Sequence, residues 1–191
     1  MVAIIASFLQ ETEERRQSRI PIGFRFLPED VELLDYYLLP RLKGEKLPAD
    51  FIMDLDVYQY DPHQLPLGEN KAYFFTREPR RNSLEDASIR PTPNGYWKVH
   101  EENIPIYRGN EIIGFKNELF FYTGNNPIGN QTDWEMVEYK YNPNMVPSSS
   151  TKTMEMDSCI VCRVSFEEED DDECLMEESL EEESGFNEGN F

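Results

Sequence analysis

The 191-residue sequence has little cysteine, little histidine and few basic residues, and each shortage closes off a class of protein. Its three cysteines, Cys159, Cys162 and Cys174, are an odd set crowded toward the C-terminal end. That is no disulfide framework, and a reducing compartment is the default. A structural zinc site around Cys159-x-x-Cys162 would need four ligands, and the only two histidines, His63 and His100, lie far away in different contexts. On a strand, residues three apart face opposite ways, so the pair is expected to place one thiol in the core and one outside. No metal and no cofactor is expected. Nowhere does an apolar run approach the roughly 18 residues that cross a bilayer, so no membrane contact is expected. The apolar stretch Val2–Leu9 has no basic residues before it and acidic ones after it. It reads as an amphipathic helix rather than a secretory signal. Phosphate-binding glycine loops, Gly-x-Ser-x-Gly and His-Glu-x-x-His are all missing, and nothing points to an enzyme.

What the chain does have is acid. Against 18 Lys+Arg stand 38 Asp+Glu, a net charge of −20. Residues 166–191 hold 13 of the acids and no base, which leaves −7 on residues 1–165. A net charge of −7 is no basic nucleic-acid footprint. The tail intersperses its acids with Leu175, Met176, Leu180, Phe186 and Phe191. Such a segment is either a self-repelling solubility tail or an acidic–apolar coactivator contact. By composition, residues 167–191 are expected to be disordered. Elsewhere an aromatic content of 13% is too high for a disordered chain, and about 150 residues suffice for one buried core.

Between the ends, the pattern is one helix followed by short aromatic strands. Ile20–Phe26 alternates and includes Pro21 and Gly23, as an edge strand or extended arm does. The run EDVELLDYYLLP places Val31, Leu34, Tyr37 and Leu38 on one helical face, with Asp30 in the first turn and Pro40 expected to close the helix. KAYFFTR, GYWKVH, IPIYRG, EIIGFKNELFFYTG, QTDWEMVEYKY and CIVCRVSF are separated by turn residues and suit an antiparallel sheet. Neither face of residues 115–122 is wholly polar, so that strand is expected to be covered on both sides. The stretch 143–157 reads as a Ser/Thr/Pro loop.

These segments, in order, resemble the motifs of the plant-specific NAC domain. IPIGFRFLPEDVELLDYYL resembles its LPPGFRFxPTDEELxxxYL opening, and MDLDVYQYDPHQLP, KAYFFTREPRRN, NGYWKVHEENIPI, IIGFKNELFFYTGNNPIGNQTDWEMVEYKY and DSCIVCRVSF resemble its later blocks. The likeness covers residues 20–166, between an extension at 1–19 and the tail at 167–191. It implies an α+β fold, a twisted antiparallel β-sheet flanked by a few helices. It further implies a dimer made by the N-terminal arm, residence in the nucleus, and a transcription factor whose outer strand enters the major groove of double-stranded DNA.

Carried over by position, the resemblance assigns DNA contacts to Lys98, His100, Arg108 and Lys116, with Arg80 and Arg81 adding charge nearby. It assigns the dimer interface to Pro21, Gly23, Arg25 and Glu32. Much of the basic character expected on the DNA face is missing. Glu101 and Glu102 follow His100, and Asn117, Ile128 and Gln131 stand where lysines are expected. All five are expected to be surface positions. Phosphate neutralisation dominates DNA affinity, so two expectations follow. One is a DNA-binding regulator with weakened contacts, active as a homodimer or as a heterodimer with other NAC domains. The other is an interaction module that pairs with intact relatives and does not itself bind DNA.

Overall fold

The computed structural model describes residues 25–68, 70–79, 86–145 and 158–167. Pro21, Gly23, Arg80 and Arg81, the extension at 1–19 and the tail beyond Glu167 lie outside the described residues. Seven strands form one sheet in the order β1-β2-β7-β6-β5-β4-β3. They are β1 (Met53–Asp54), β2 (Lys71–Arg77), β3 (Ile89–Pro91), β4 (Gly95–Arg108), β5 (Glu111–Thr123), β6 (Asn130–Tyr141) and β7 (Cys159–Phe166). Neighbours run antiparallel except β1, whose two residues pair parallel with Phe74 and Phe75 of β2, so the sheet is mixed.

One helical rod, α1, leads into the sheet. An α-turn over Asp30–Glu32 passes into a π-helical stretch over Leu33–Leu38 and then an α-segment over Leu39–Lys43. Pro40 therefore does not close the helix, contrary to the expectation from sequence. In α geometry its ring would strike the carbonyl four residues back. The widened turn before it avoids that clash, with the Leu39 N–H reaching Leu34 O in place of Asp35 O. The rod ends four residues later at Gly44, whose φ of 70° is the left-handed cap that glycine adopts without strain.

Both faces of the centre of the sheet are buried. Leu33, Leu34 and Leu38 of α1 pack on Tyr73, Phe75, Ile113, Val137, Tyr139 and Val161. Gly114 makes room for this: a Cβ there would collide with Leu34. On the opposite face Val57 and Leu65, carried by short 3-10 turns at Val57–Gln59 and Pro62–Gln64, cover Phe74, Trp97, Leu119, Phe121, Met136 and Val164. Between Ile112 and Tyr122 no residue is fully exposed, as the two-sided apolar pattern predicts. Cys162 is buried in the second cluster, while Cys159 lies half-buried on the first. Burial pushes both thiols up, Cys162 the further.

Candidate nucleic-acid interface

The segment predicted to meet DNA opens at a pinned turn. Asp61 is 1% exposed and accepts from the Thr92 hydroxyl at 2.6 Å, the Asn94 backbone at 3.1 Å and the Asn94 side chain at 2.6 Å. Burial would raise its pKa, but these hydrogen bonds win and hold the carboxyl below the usual carboxylate value. The β3–β4 turn is thereby fixed, and Gly95 passes so close to the Tyr122 carbonyl that no Cβ fits.

From there β4 lies along β5. Lys98 opposes Phe120, and its Nζ sits 5.9 Å from the Tyr122 ring centre. The His100 ring meets Phe120 edge-on at 5.3 Å, and Tyr96 stacks on Tyr122 at 5.3 Å. Lys98 and His100 are both exposed, and the structure brings them to one side of a short aromatic platform. Glu101 and Glu102 follow, exposed, with Glu101 paired across the sheet to Glu118. Ile128, in the β5–β6 loop, is 85% exposed. Gln131 accepts from the Tyr122 hydroxyl at 2.8 Å.

Two other candidate contacts are engaged by α1. Lys116 Nζ lies 3.2 Å from Asp30 and 3.6 Å from Glu118. Arg108 binds Asp35 at 3.1 and 3.2 Å and Glu111 at 3.4 Å. Each of these helix acids also accepts a tyrosine hydroxyl of β6: Asp30 from Tyr139 at 2.8 Å, Asp35 from Tyr141 at 3.2 Å. Burial raises both phenols, so they stay protonated donors at any working pH. The acids stand five apart on the helix and the tyrosines two apart on the strand, which makes two parallel Asp–Tyr–cation groups. Arg108 lies ten residues along β4 from Lys98, at most about 33 Å at about 3.3 Å per residue. Of the predicted dimer residues, Arg25 and Glu32 are described and exposed. The Glu32 carboxylate accepts the Glu29 N–H at 2.9 Å, holding the first turn of α1.

A charged network runs beneath the platform. Glu138 of β6 and Arg90 of β3 are 4% and 3% exposed and meet at 3.0 and 3.3 Å. Glu138 also accepts from the Tyr58 hydroxyl at 2.7 Å and from Asn117 Nδ2 at 2.9 Å. Among the described residues no group of three or more His, Cys, Asp or Glu is placed to hold a metal.

A family model described as No apical meristem (NAM) protein matches residues 21–141. The chain belongs to the NAC family of plant transcription factors. It is similar to NAC transcription factor 29 of Arabidopsis thaliana, 36% identical over 157 residues, which is 80% of this chain and 59% of that protein. NAC domain-containing protein 83 of the same plant is 38% identical over 149 residues, 76% of this chain and 58% of that one. NAC domain-containing protein 1 of Solanum lycopersicum is 37% identical over 152 residues, covering 77% and 54%. The chain thus spans between half and three-fifths of the length of these relatives. Their names are those of transcription factors and NAC domain proteins, none of an enzyme.

Within this NAC domain, sequence reasoning missed the groups that shape the interface. Asn117 is not a surface position but half-buried, bonded both to Glu138 and to the Asn103 backbone at 2.8 Å. Neither Asp61 nor Arg90 is a candidate by sequence. A usable signal existed in MVEYKY: an acid inside an otherwise apolar strand must find a buried partner.

Proposed function

We propose that the chain is a NAC-type transcription regulator that meets double-stranded DNA through residues 96–102 of β4, with few cations to grip phosphate. The observation that carries this reading is the exposed Lys98–His100 pair on its aromatic platform; of the other assigned contacts that are described, Lys116 is half-buried and Arg108 is exposed but ion-paired to Asp35 and Glu111. Family membership supports a role in transcription, in the nucleus and as a dimer. On this reading Arg25 and Glu32 pair across the two-fold axis, and the acidic tail at 167–191 is available to a coactivator. Arg25→Glu is expected to weaken the dimer, and adding Glu32→Arg to restore part of it, by sedimentation velocity.

A second reading has its own support. Lys116 and Arg108 already have acid partners in the helix, so little charge remains to neutralise DNA. The chain then acts by heterodimerising with a more basic NAC domain and altering its output. One experiment separates the two: duplex binding followed by fluorescence anisotropy from 50 to 200 mM salt, for the chain alone and mixed with a basic NAC domain. Feeble binding alone with a shallow salt slope supports the first reading. No binding alone, with altered binding by the mixture, supports the second. Nanomolar binding alone at physiological salt overturns the weakened-contact view. No effect in either arrangement removes DNA from the account.

A further inference from the structure

The pairing of β4 with β5 breaks just beyond the exposed Lys98–His100 segment. Register shifts fall between Val99 and Glu101 and between Glu101 and Ile104, and regular pairing resumes at Ile104 opposite Lys116. Inside this irregularity Asn103 has a φ of 57°, in the left-handed region, which asparagine enters more readily than most side chains but still at a cost that its surroundings offset. The support is visible. The Asn103 N–H donates to Asn117 Oδ1 at 2.8 Å.

Asn117 can hold that amide only because its own orientation is set. Its Nδ2 donates to Glu138 Oε2 at 2.9 Å, and a carboxylate accepts but cannot donate. The Oδ1 must then face Asn103. Glu138 is fixed in turn: Arg90 donates to both of its oxygens at 3.0 and 3.3 Å, and Tyr58 donates to Oε1 at 2.7 Å. The relay crosses from β3 through β6 and β5 to β4, and its two charged members are almost wholly excluded from solvent. Fully satisfied buried networks of this kind are rigid, and a half-satisfied one is costly.

We infer that Asn117 is a positioning residue for the DNA-facing segment of β4. It transmits the fixed orientation of the buried Arg90–Glu138 pair to the left-handed turn at Asn103. It thereby sets how residues 98–102 are presented along β4, with Lys98 and His100 on one side and Glu101 and Glu102 beyond them. The amide serves both partners at once, one group donating and the other accepting. Leucine offers neither hydrogen bond, aspartate turns a carboxylate on Glu138, and lysine serves Glu138 but cannot accept from Asn103. This rests on the reading that residues 96–102 meet DNA, and the experiment separates the two claims.

The full chain is studied as wild type, Asn117→Leu, and Asn117→Leu combined with Asn103→Gly. Amide hydrogen exchange by NMR tests the relay without DNA. The Asn103 amide should exchange about ten- to a hundredfold faster in Asn117→Leu, while Met136, Val137 and Val161 keep their wild-type protection. Binding to a panel of duplexes, by anisotropy, tests positioning. Asn117→Leu should bring the ratio of best to random duplex affinity toward one, with the salt slope unchanged because no charge was altered. Glycine adopts the turn unaided, so the double variant should regain discrimination while its residue-103 amide stays unprotected. An unchanged Asn103 exchange rate overturns the relay. Uniform loss of protection across the sheet makes Asn117 merely structural and overturns positioning. Changed exchange with unchanged discrimination also overturns it. A wild type that binds no duplex defeats the DNA reading instead, and the exchange measurement still decides the relay.

Discussion

The two halves of β4 on either side of Asn103 treat their charges differently. Beyond the break, Arg108 belongs to the docking of α1: Asp35 holds it, as Asp30 holds Lys116 on the neighbouring strand. Before the break, Lys98 lies over an aromatic ring, His100 caps Phe120, and Glu101 and Glu102 point to solvent. Arg108, though exposed, is ion-paired to Asp35 and Glu111, and those acids compete with a phosphate for it. Counting lysines and arginines along the strand therefore misstates what the strand offers to a polyanion. The buried Arg90–Glu138 pair and Asn117 form the boundary between the halves.

Removing that boundary should have the largest effect. Glu138→Leu leaves Arg90 charged, buried and unpaired, and should cost about 3–5 kcal/mol in denaturant unfolding. Adding Arg90→Met should recover part of the loss, because it removes the stranded charge while the Tyr58 and Asn117 donors still lack their acceptor. A single-variant loss below about 1 kcal/mol would show that water reaches the pair.

Next in size is reversal of charge on the exposed half. Glu101→Gly, Glu102→Lys and Ile128→Lys together remove two negatives and add two positives at exposed positions. Duplex affinity at physiological salt should rise about a hundredfold and its salt slope should steepen. Asn117 is best left unchanged in this design, since lysine there would release Asn103. An unchanged affinity would place the DNA-binding surface elsewhere.

A smaller effect is expected where the exposed half begins. Asp61→Ala strands the Thr92 and Asn94 donors and should cost about 2 kcal/mol. Because the folded pKa of Asp61 lies below its ordinary value, the unfolded chain takes up the proton first on acidification. Its contribution is complete above about pH 4 and is lost as the pH falls through the folded value. Urea unfolding from pH 6 to pH 3 should show a shallower acid loss in Asp61→Ala than in wild type. Equal pH profiles would count against the hydrogen-bonded carboxylate.

The smallest effect compares the two halves directly. Lys98→Ala should reduce the slope of log affinity against log salt by about 0.9, the value of one phosphate contact, and Arg108→Ala should leave it unchanged. If Arg108→Ala lowers the slope equally, the helix acids do not withhold that cation from DNA.

Much of the fold was legible because it depends on local pattern. Alternating apolar residues flanked by turn residues marked β2, β5, β6 and β7, and the spacing of Leu34, Tyr37 and Leu38 marked the buried face of α1. The rod's continuation past Pro40 was not legible, because a proline is tolerated or not according to the turn before it, here widened to π geometry. The candidate interface divides along the same line. Lys98 and His100 could be named from their positions in GYWKVH. The engagement of Lys116 and Arg108 depends on acids 86 and 73 residues away in sequence, brought near only when α1 packs on the sheet.

The sequence by itself determined the α+β class, the strand-forming segments, the family and the shortage of positive charge, because each is a matter of residue type and short-range order. The tertiary structure alone decided which charges remain available. It buried Glu138 against Arg90, turned Asn117 from an expected surface residue into the support of Asn103, and gave Lys116 and Arg108 to the helix. The physical reason is that the strength of a charge is set by its solvation and its partners, and both are fixed only when distant segments come together.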